Sequence, residues 1–429
     1  MPFEHFVFPS ETLHVCERNG DDRGEFILKK NMDFDEARAL MLGVTRTIDT
    51  ETIPITEAYG RVLAEDICAQ CDNPPFDRSA FDGYAFRAED VQMASPEAPV
   101  TLRIIEEIPA GTQPKKALSP GTAAKILTGA PIPQGADAVV KFEITEFTRE
   151  TVTLFAPAGA RNIVTAGEDV FQGSLLAERG AHIDPPMLAT IAAQGIGFVP
   201  VYQRPRVGIL ATGSEVVEIN QPVGGGKIRN SNRYVLEGIC RSAGVEPMNL
   251  GIAKDTVADI SARLLQGLET CDVIITTGGV SVGDFDVTPE AVEAAGVEIL
   301  VRGLALKPGG ACAYGVKDGK LVFCLSGNPA SGITNFYAVA HPCLKKCAGR
   351  TDLGGKTFVK LAQPFGKASP HTRLLRGRQD LSSGEHVMHV SGQGNAMLHA
   401  MIGCDVMAII PAGSPALSAG TVLEAFFMH

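Results

Sequence analysis

Between about residues 205 and 350, short apolar runs alternate with helix-length segments, most of the loops between them containing Gly, and no other feature restricts the fold as strongly. Val207-Gly208-Ile209-Leu210-Ala211 reads as a strand leading to a helix over 232–243 that Gly244 ends. Pro247 to Ile252 leads to a helix near 256–268, and Asp272 to Thr277 leads to a helix opened by Thr288-Pro289 and ended by Gly296. Lys320 to Leu325 leads to a helix beginning near Ala330. Such alternation implies a parallel sheet with covering helices. Right-handed crossovers then bring every strand-to-helix loop to one edge.

Those loops are chemically rich: Thr212-Gly213-Ser214-Glu215, Ala253-Lys254-Asp255-Thr256, Thr276 to Asp286, and Ser326-Gly327-Asn328-Pro329. The third runs Thr276-Thr277-Gly278-Gly279-Val280-Ser281-Val282-Gly283-Asp284-Phe285-Asp286. Glycine lets backbone N–H groups approach a guest, and helix N-termini add partial positive charge, so the loops suit phosphate or another oxyanion. Lys307, in Lys307-Pro308-Gly309-Gly310, offers a full charge. Glu215, Asp255 and Asp286 share the same edge. Carboxylates repel phosphates unless a cation stands between them, which implies a Mg²⁺-like ion. The alternative is that these acids merely cap the helices that follow.

Generic nucleotide motifs do not account for the loops. Gly278 and Gly279 are adjacent, so the third loop is not G-x-G-x-x-G. Gly224-Gly225-Gly226-Lys227 continues with Ile228 and lacks the Ser/Thr of a P-loop. Cys68-Ala69-Gln70-Cys71 has ligand spacing but no second pair at zinc-module distance. No G-x-S-x-G elbow occurs.

The 429 residues suggest three or four domains. A helix should begin at Asp33 with Glu36 as a capping-box partner, burying Phe34, Ala37, Leu40, Met41 and Val44 on one face. From about 51 to 200 the texture is short β-rich runs broken by Gly and Pro, with one helix-like stretch at Pro186 to Ala192. After about 350 short strands return. The net charge of −11 argues against general nucleic-acid binding, which needs a basic face. No secretory signal or membrane-spanning apolar run is visible, and the ten scattered cysteines read as reduced thiols of a cytoplasmic protein.

In the β-rich half, Asp82-Gly83 by itself reads as a tight turn, as do Thr128-Gly129-Ala130-Pro131 and Gly167-Glu168-Asp169. Taken jointly and in order the motifs are more specific. Phe76-Asp77-Arg78-Ser79-Ala80-Phe81-Asp82-Gly83-Tyr84-Ala85, Thr128-Gly129-Ala130-Pro131, Gly135-Ala136-Asp137-Ala138-Val139-Val140 and Gly167-Glu168-Asp169 precede Thr276 to Gly283, Lys307-Pro308-Gly309 and Gly327-Asn328-Pro329. From about residue 31 to the end, the chain closely resembles the molybdopterin molybdenumtransferase family, that is, bacterial MoeA and the gephyrin E domain.

The resemblance implies an α/β multidomain fold: a parallel-sheet, MogA-like αβ domain, a β-rich inserted domain and a small barrel-like C-terminal β domain. The implied boundaries are 31–68 with 174–204 for the N-terminal helix and linking domain, 69–173 for the insertion, 205–350 for the pterin and nucleotide domain, and 351–429 for the C-terminal domain. Residues 1–30 stay unassigned. The implied activity is Mg²⁺-dependent insertion of molybdate into adenylylated molybdopterin with release of AMP, in a homodimer whose partner completes each site. A molybdopterin adenylyltransferase would act upstream. Two alternatives stay open: a non-catalytic molybdopterin-binding scaffold, and a tungstate-preferring transferase of the same family.

Carried over by position, the functional acids match Asp82, Asp169, Glu215, Asp255 and Asp286, with Glu215, Asp255 and Asp286 about the metal. Substrate contacts fall on Thr128, Thr277, Gly278, Gly279, Ser281, Gly283, Arg302, Lys307, Ser326, Gly327, Asn328, Pro329 and Arg376. The chain departs from the family pattern at Ser326 (a proline elsewhere), Gly303 (a basic residue), Asn395 (a serine) and Asn230 (an aspartate). Arg302, Arg229 and Arg373 are candidate replacements for the missing positive charge.

Overall fold

The structure is a computed structural model that describes residues 29–280 and 287–428. Among them, seven strands make the largest sheet: β1 (Lys29–Met32), β2 (Arg206–Thr212), β3 (Glu246–Ala253), β4 (Val273–Thr277), β5 (Glu298–Leu304), β6 (Ala313–Lys317) and β7 (Lys320–Leu325). Their spatial order is β1-β5-β6-β7-β4-β2-β3. Strands β7, β4, β2 and β3 are mutually parallel, as the alternation implies. Val273, Ile275, Leu321 and Phe323 pack into one buried cluster, while Ile274, Val322 and Cys324 pack into another on the opposite face. A sheet covered on both sides needs no polar alternation, which is why these strands read as continuous apolar runs.

The sheet is not wholly parallel. Strand β6 runs antiparallel to both β5 and β7. Between β6 and β7, Asp318 and Gly319 both have positive φ, 52° and 81°, giving a two-residue hairpin whose twist suits antiparallel pairing. The expected strand set lacks both β5 and β6, although the Asp-Gly pair between two apolar runs was a usable signal.

The helix Phe34–Val44 forms where expected. The Asp33 carboxylate caps it, accepting from Asp35 N at 2.9 Å and Glu36 N at 3.4 Å. Its buried residues Phe34, Ala37 and Met41 belong to the core that holds Val207, Val301 and Leu344, and β1 just before it pairs with β5. The apolar stripe of the helix is thus covered by the αβ core. The stretches 53–67 and 177–201 do enclose a cluster of their own, with Ile53, Leu63, Ile183, Ile191 and Val201 at its centre.

Two further β structures complete the fold. Residues 83–154 supply a six-stranded sheet ordered Ala138–Lys141, Gly83–Phe86, Thr122–Ile126, Val100–Ile108, Thr151–Leu154 and Thr145–Phe147. Near the C-terminus Lys356–Leu361, Thr372–Asp380, Val387–Val390, Val406–Ile410 and Val422–Phe427 close into a barrel, because Thr372–Asp380 pairs with both Val387–Val390 and Val406–Ile410. Closure leaves these strands no unpaired edge within the ring. The short strand Leu306–Lys307 lies parallel on Thr372–Arg373 and joins the barrel to the αβ region. Among the described residues no helix is long and apolar enough to cross a membrane.

Candidate functional site

A cavity of about 320 Å³ opens at the C-terminal ends of the parallel strands. Its walls are Ala211 and Thr212 ending β2, Thr277 ending β4 with Gly278, Gly279 and Val280 after it, and Ser326 to Pro329 after β7. Glu215, Val216 and the 228–232 stretch close the remaining side. Ligands of open α/β sheets bind at this edge because the loops there diverge while the strand ends stay fixed. Gly278 is required by contact: its φ is +111°, and a Cβ there would lie 2.4 Å from the Thr212 carbonyl oxygen.

Hydrogen bonds between distant loops hold the cavity. Asn232 Nδ2 donates to Thr277 Oγ1 at 2.7 Å and to the Gly327 carbonyl at 2.8 Å, so one amide ties three segments together. Thr288 Oγ1 donates to the Gly278 carbonyl at 3.2 Å. Asn230 caps the helix Ser231–Ser242 by accepting from Arg233 N at 3.2 Å. Asn230 Nδ2 and Asn232 Oδ1 are both buried with no protein partner, leaving one donor and one acceptor among the residues that wall the cavity. Unpaired buried polar atoms are costly unless a guest or water meets them.

Glu215 and Asp255 are not helix caps. Asp255 Oδ2 accepts from Ser214 N at 2.6 Å and Ser214 Oγ at 2.8 Å, across the sheet edge. Thr256 instead caps the helix Val257–Thr270, through Asp259 N at 3.3 Å. Glu215 follows Ser214 directly and precedes the short strand Val216–Val217, so it has no helix to cap. Among the described residues no three metal-ligating side chains group together. Mg²⁺, however, takes one or two carboxylates together with phosphate oxygens of its ligand, so Glu215 and the clasped Asp255 are a fitting hard-oxygen set. Asp286, Ser281 and Gly283 lie outside the described residues.

A second cavity of about 650 Å³ adjoins the first, since Val280 lines both. Arg302, Gly303, Lys307 and His371 are among its walls. Arg229 lines the first cavity. Arg373 lines neither; its guanidinium sits 5.7 Å from the Phe365 ring centre. Arg376, expected at the substrate, is fully buried on the side of its barrel strand that Leu374 and Met407 share, which packs into the αβ core, and it lines neither cavity. Its Nη2 donates to the Gly392 and Gly394 carbonyls at 3.1 and 3.2 Å, while Nε and Nη1 have no partner. Burial pushes the pKa of its guanidinium down. The loop it grips does reach the site edge, because the Asn395 carbonyl accepts from Ala330 N at 3.1 Å.

The remaining motifs meet in the inserted region. Asp82 Oδ1 accepts from both Thr128 N and Thr128 Oγ1 at 2.7 Å, and those bonds hold its carboxyl below the usual range. Asp169 Oδ2 accepts from Asn73 Nδ2 at 2.8 Å. Ser79 N bonds the Ala130 carbonyl, Gly129 N the Ser79 carbonyl, and Ala166 N the Asp77 carboxylate. The 76–82, 128–131 and 165–169 stretches are thus adjacent in space. Asp82, Thr128 and Asp169 are exposed and do not wall the sheet-edge cavity of the same chain.

Known proteins resemble this chain over most of its length. Residues 32–195 match a family model described as the MoeA N-terminal region (domain I and II), and 208–346 match a probable molybdopterin binding domain. A molybdopterin molybdenumtransferase of Staphylococcus aureus is 34% identical over 395 residues, 91% of this chain and 94% of that protein. A protein of the same name from Staphylococcus epidermidis is 34% identical over 375 residues, 87% of this chain and 90% of its own. The crystal structure of a molybdopterin biosynthesis MoeA protein from Pyrococcus horikoshii superposes with a TM-score of 0.80 at 31% identity, over 93% of this chain and all of that one.

Proposed function

The chain belongs to the molybdopterin molybdenumtransferase family, transferases of molybdenum-cofactor biosynthesis, and from that premise we propose that it inserts molybdate into adenylylated molybdopterin with Mg²⁺ and releases AMP. What supports this reading is Glu215 in the wall of the sheet-edge cavity together with the glycine-containing loops, and the Ser214–Asp255 clasp that adjoins Glu215 in the chain. An acidic protein needs local donors to hold a polyanion, and the main chain at Gly279 and Gly327, in the cavity wall, is suited to that task because no side chain stands in front of it.

Each residue then has a physical task. Asn230 and Asn232 offer the donor and acceptor left over from their own bonds. Thr277 and the 326–329 segment orient the guest. Glu215 and Asp255, with Asp286, would hold Mg²⁺, which when bound would neutralise pyrophosphate charge and polarise the anhydride. Ser214 keeps Asp255 in place. Cleavage is then positional and electrostatic, with no protein nucleophile needed. Lys307 and Arg302, in the adjoining cavity, supply the positive charge that the oxyanion requires.

Asp82 and Asp169 would act on a ligand held by a second copy of the chain, orienting water or metal from outside the cavity. Their exposure supports this, because acids without a cavity of their own need one supplied. The decisive assay mixes purified protein, adenylylated molybdopterin, Mg²⁺ and either molybdate or tungstate, and measures AMP. Release that needs neither Mg²⁺ nor an oxyanion would end the proposal.

A further inference from the structure

We propose that Asn335 is a positioning residue for Lys307, acting on the lysine's loop from behind; this rests on the reading that Lys307 meets the oxyanion. Asn335 is fully buried at the end of the helix Pro329–Asn335, whose first residue walls the sheet-edge cavity. Its Nδ2 donates to the Gly309 carbonyl at 2.5 Å, and its Oδ1 is paired with the Tyr314 hydroxyl of β6. Gly309 lies two residues beyond Lys307. A Cβ at 309 would stand 3.1 Å from the Ser331 carbonyl oxygen and 3.3 Å from Asn335 Cβ, so the loop backbone lies directly on the helix.

The rest of the loop is pinned on other sides. Leu304 N donates to the Gly310 carbonyl at 2.8 Å, and Gly303 N to the Cys312 carbonyl at 2.9 Å. Lys307 itself sits in register with Arg373 of the barrel. Asn335 therefore links three elements: the helix rooted at the first cavity, the loop that presents Lys307 to the second, and β6 between them.

A buried amide in a helix is unfavourable unless it is fully paired, and an apolar side chain would fill the same space at less cost. This one bonds outside its own helix, to the main chain of the cavity-lining loop. Directly after it the helix widens to a π turn over Phe336–Ala340, a distortion frequent at functional sites. Lysine is long and loses much rotamer freedom when fixed, so the placement of its backbone decides how often the ammonium reaches its target. Asn335 controls that placement without touching the ligand.

The test is steady-state AMP release with molybdate varied, together with equilibrium dialysis of molybdate. Asn335→Asp keeps the shape and the Tyr314 pairing but turns the donor toward Gly309 into a carboxylate oxygen. It should raise the KM for molybdate about tenfold with kcat changed less than about twofold, and weaken molybdate binding in parallel. In a Lys307→Ala background the same substitution should add nothing. Tyr314→Phe, which leaves the Gly309 bond, should shift KM less than about twofold. Thr334→Val removes a hydroxyl that bonds the Ala330 carbonyl within the helix, and should leave KM at the parental value. Should Asn335→Asp prove insoluble, Asn335→Ser carries the same expectation. Parental KM in a folded Asn335 variant, when Lys307→Ala has raised it, would overturn this inference alone. So would a full multiplicative effect in the double variant. Parental KM in Lys307→Ala would overturn the reading of the second cavity and this inference with it.

Discussion

Glu215 lines the cavity that opens where the parallel strands end, with Asp255 clasped to Ser214 beside it, whereas Asp82 and Asp169 stand on the inserted region outside that cavity, each held by a near neighbour in space. The first pair is positioned by a sheet covered on both faces, with a clasp joining the loops after β2 and β3. The second is positioned by turns that pack on one another. Concavity and rigid support suit the sheet edge to enclose a guest. The exposed pair can orient a group already held, but has no enclosure in which to hold one. Acids that look equivalent in a motif can therefore stand in very different surroundings.

The largest expected effect falls at the sheet edge. Asp255→Ala should lower AMP release about a hundredfold or more while circular dichroism and thermal unfolding stay near parental, since Asp255 is half-buried and its bonds run to an exposed serine. A rate within about threefold of the parent would remove the distinction between the two acid pairs. Asp82→Ala should cost less, roughly tenfold to a hundredfold in kcat, with little change in ligand affinity measured by titration. Mixing the Asp82→Ala and Asp255→Ala proteins under subunit exchange should restore about a quarter of the parental rate, because half of the dimers become mixed and each regains one intact site. No recovery on mixing would mean that both acids serve one site within a single chain.

Asn232→Leu should raise the KM for the adenylylated ligand about tenfold, because one amide ties the β4 loop to the 327 segment and loose loops misplace their donors. An unchanged KM would show that the strands alone hold the cavity. The smallest effect belongs to Thr128→Val, which removes the hydroxyl bond to Asp82 and keeps the backbone one. The Asp82 carboxyl lies below its ordinary 3.8 because its charged form accepts both bonds, so the substitution should move its pKa upward in an NMR titration. The sign follows from linkage. A depressed folded-state value contributes stability that is present above 3.8 and is lost as pH falls through the folded value.

Much of the sheet edge was legible before any coordinates. Apolar runs followed by Gly-containing loops placed Thr212, Thr277, Gly278 and Ser326 on one rim, and the cavity is there. The capping alternative for Asp255 was open in the sequence and was closed only by seeing Thr256 take the cap. The hairpin at Asp318-Gly319 had a local signal that went unused. Arg376 is different: nothing local distinguishes an arginine facing a ligand from one buried outside the barrel core and bonded to the carbonyls of 392 and 394. Asn232 and Asn335 likewise carry no local mark, because their partners lie 95 and 26 residues away in the chain.

The sequence by itself determined the strand and helix order, the edge at which the chemistry gathers and the residue types available there, because these follow from periodicity, turn chemistry and the handedness of crossovers. Only the tertiary structure decided which of those polar groups are used up in holding the loops and which are left for a guest. That division depends on pairings between segments far apart in the chain, and a buried donor or acceptor is spent or free according to what packs against it.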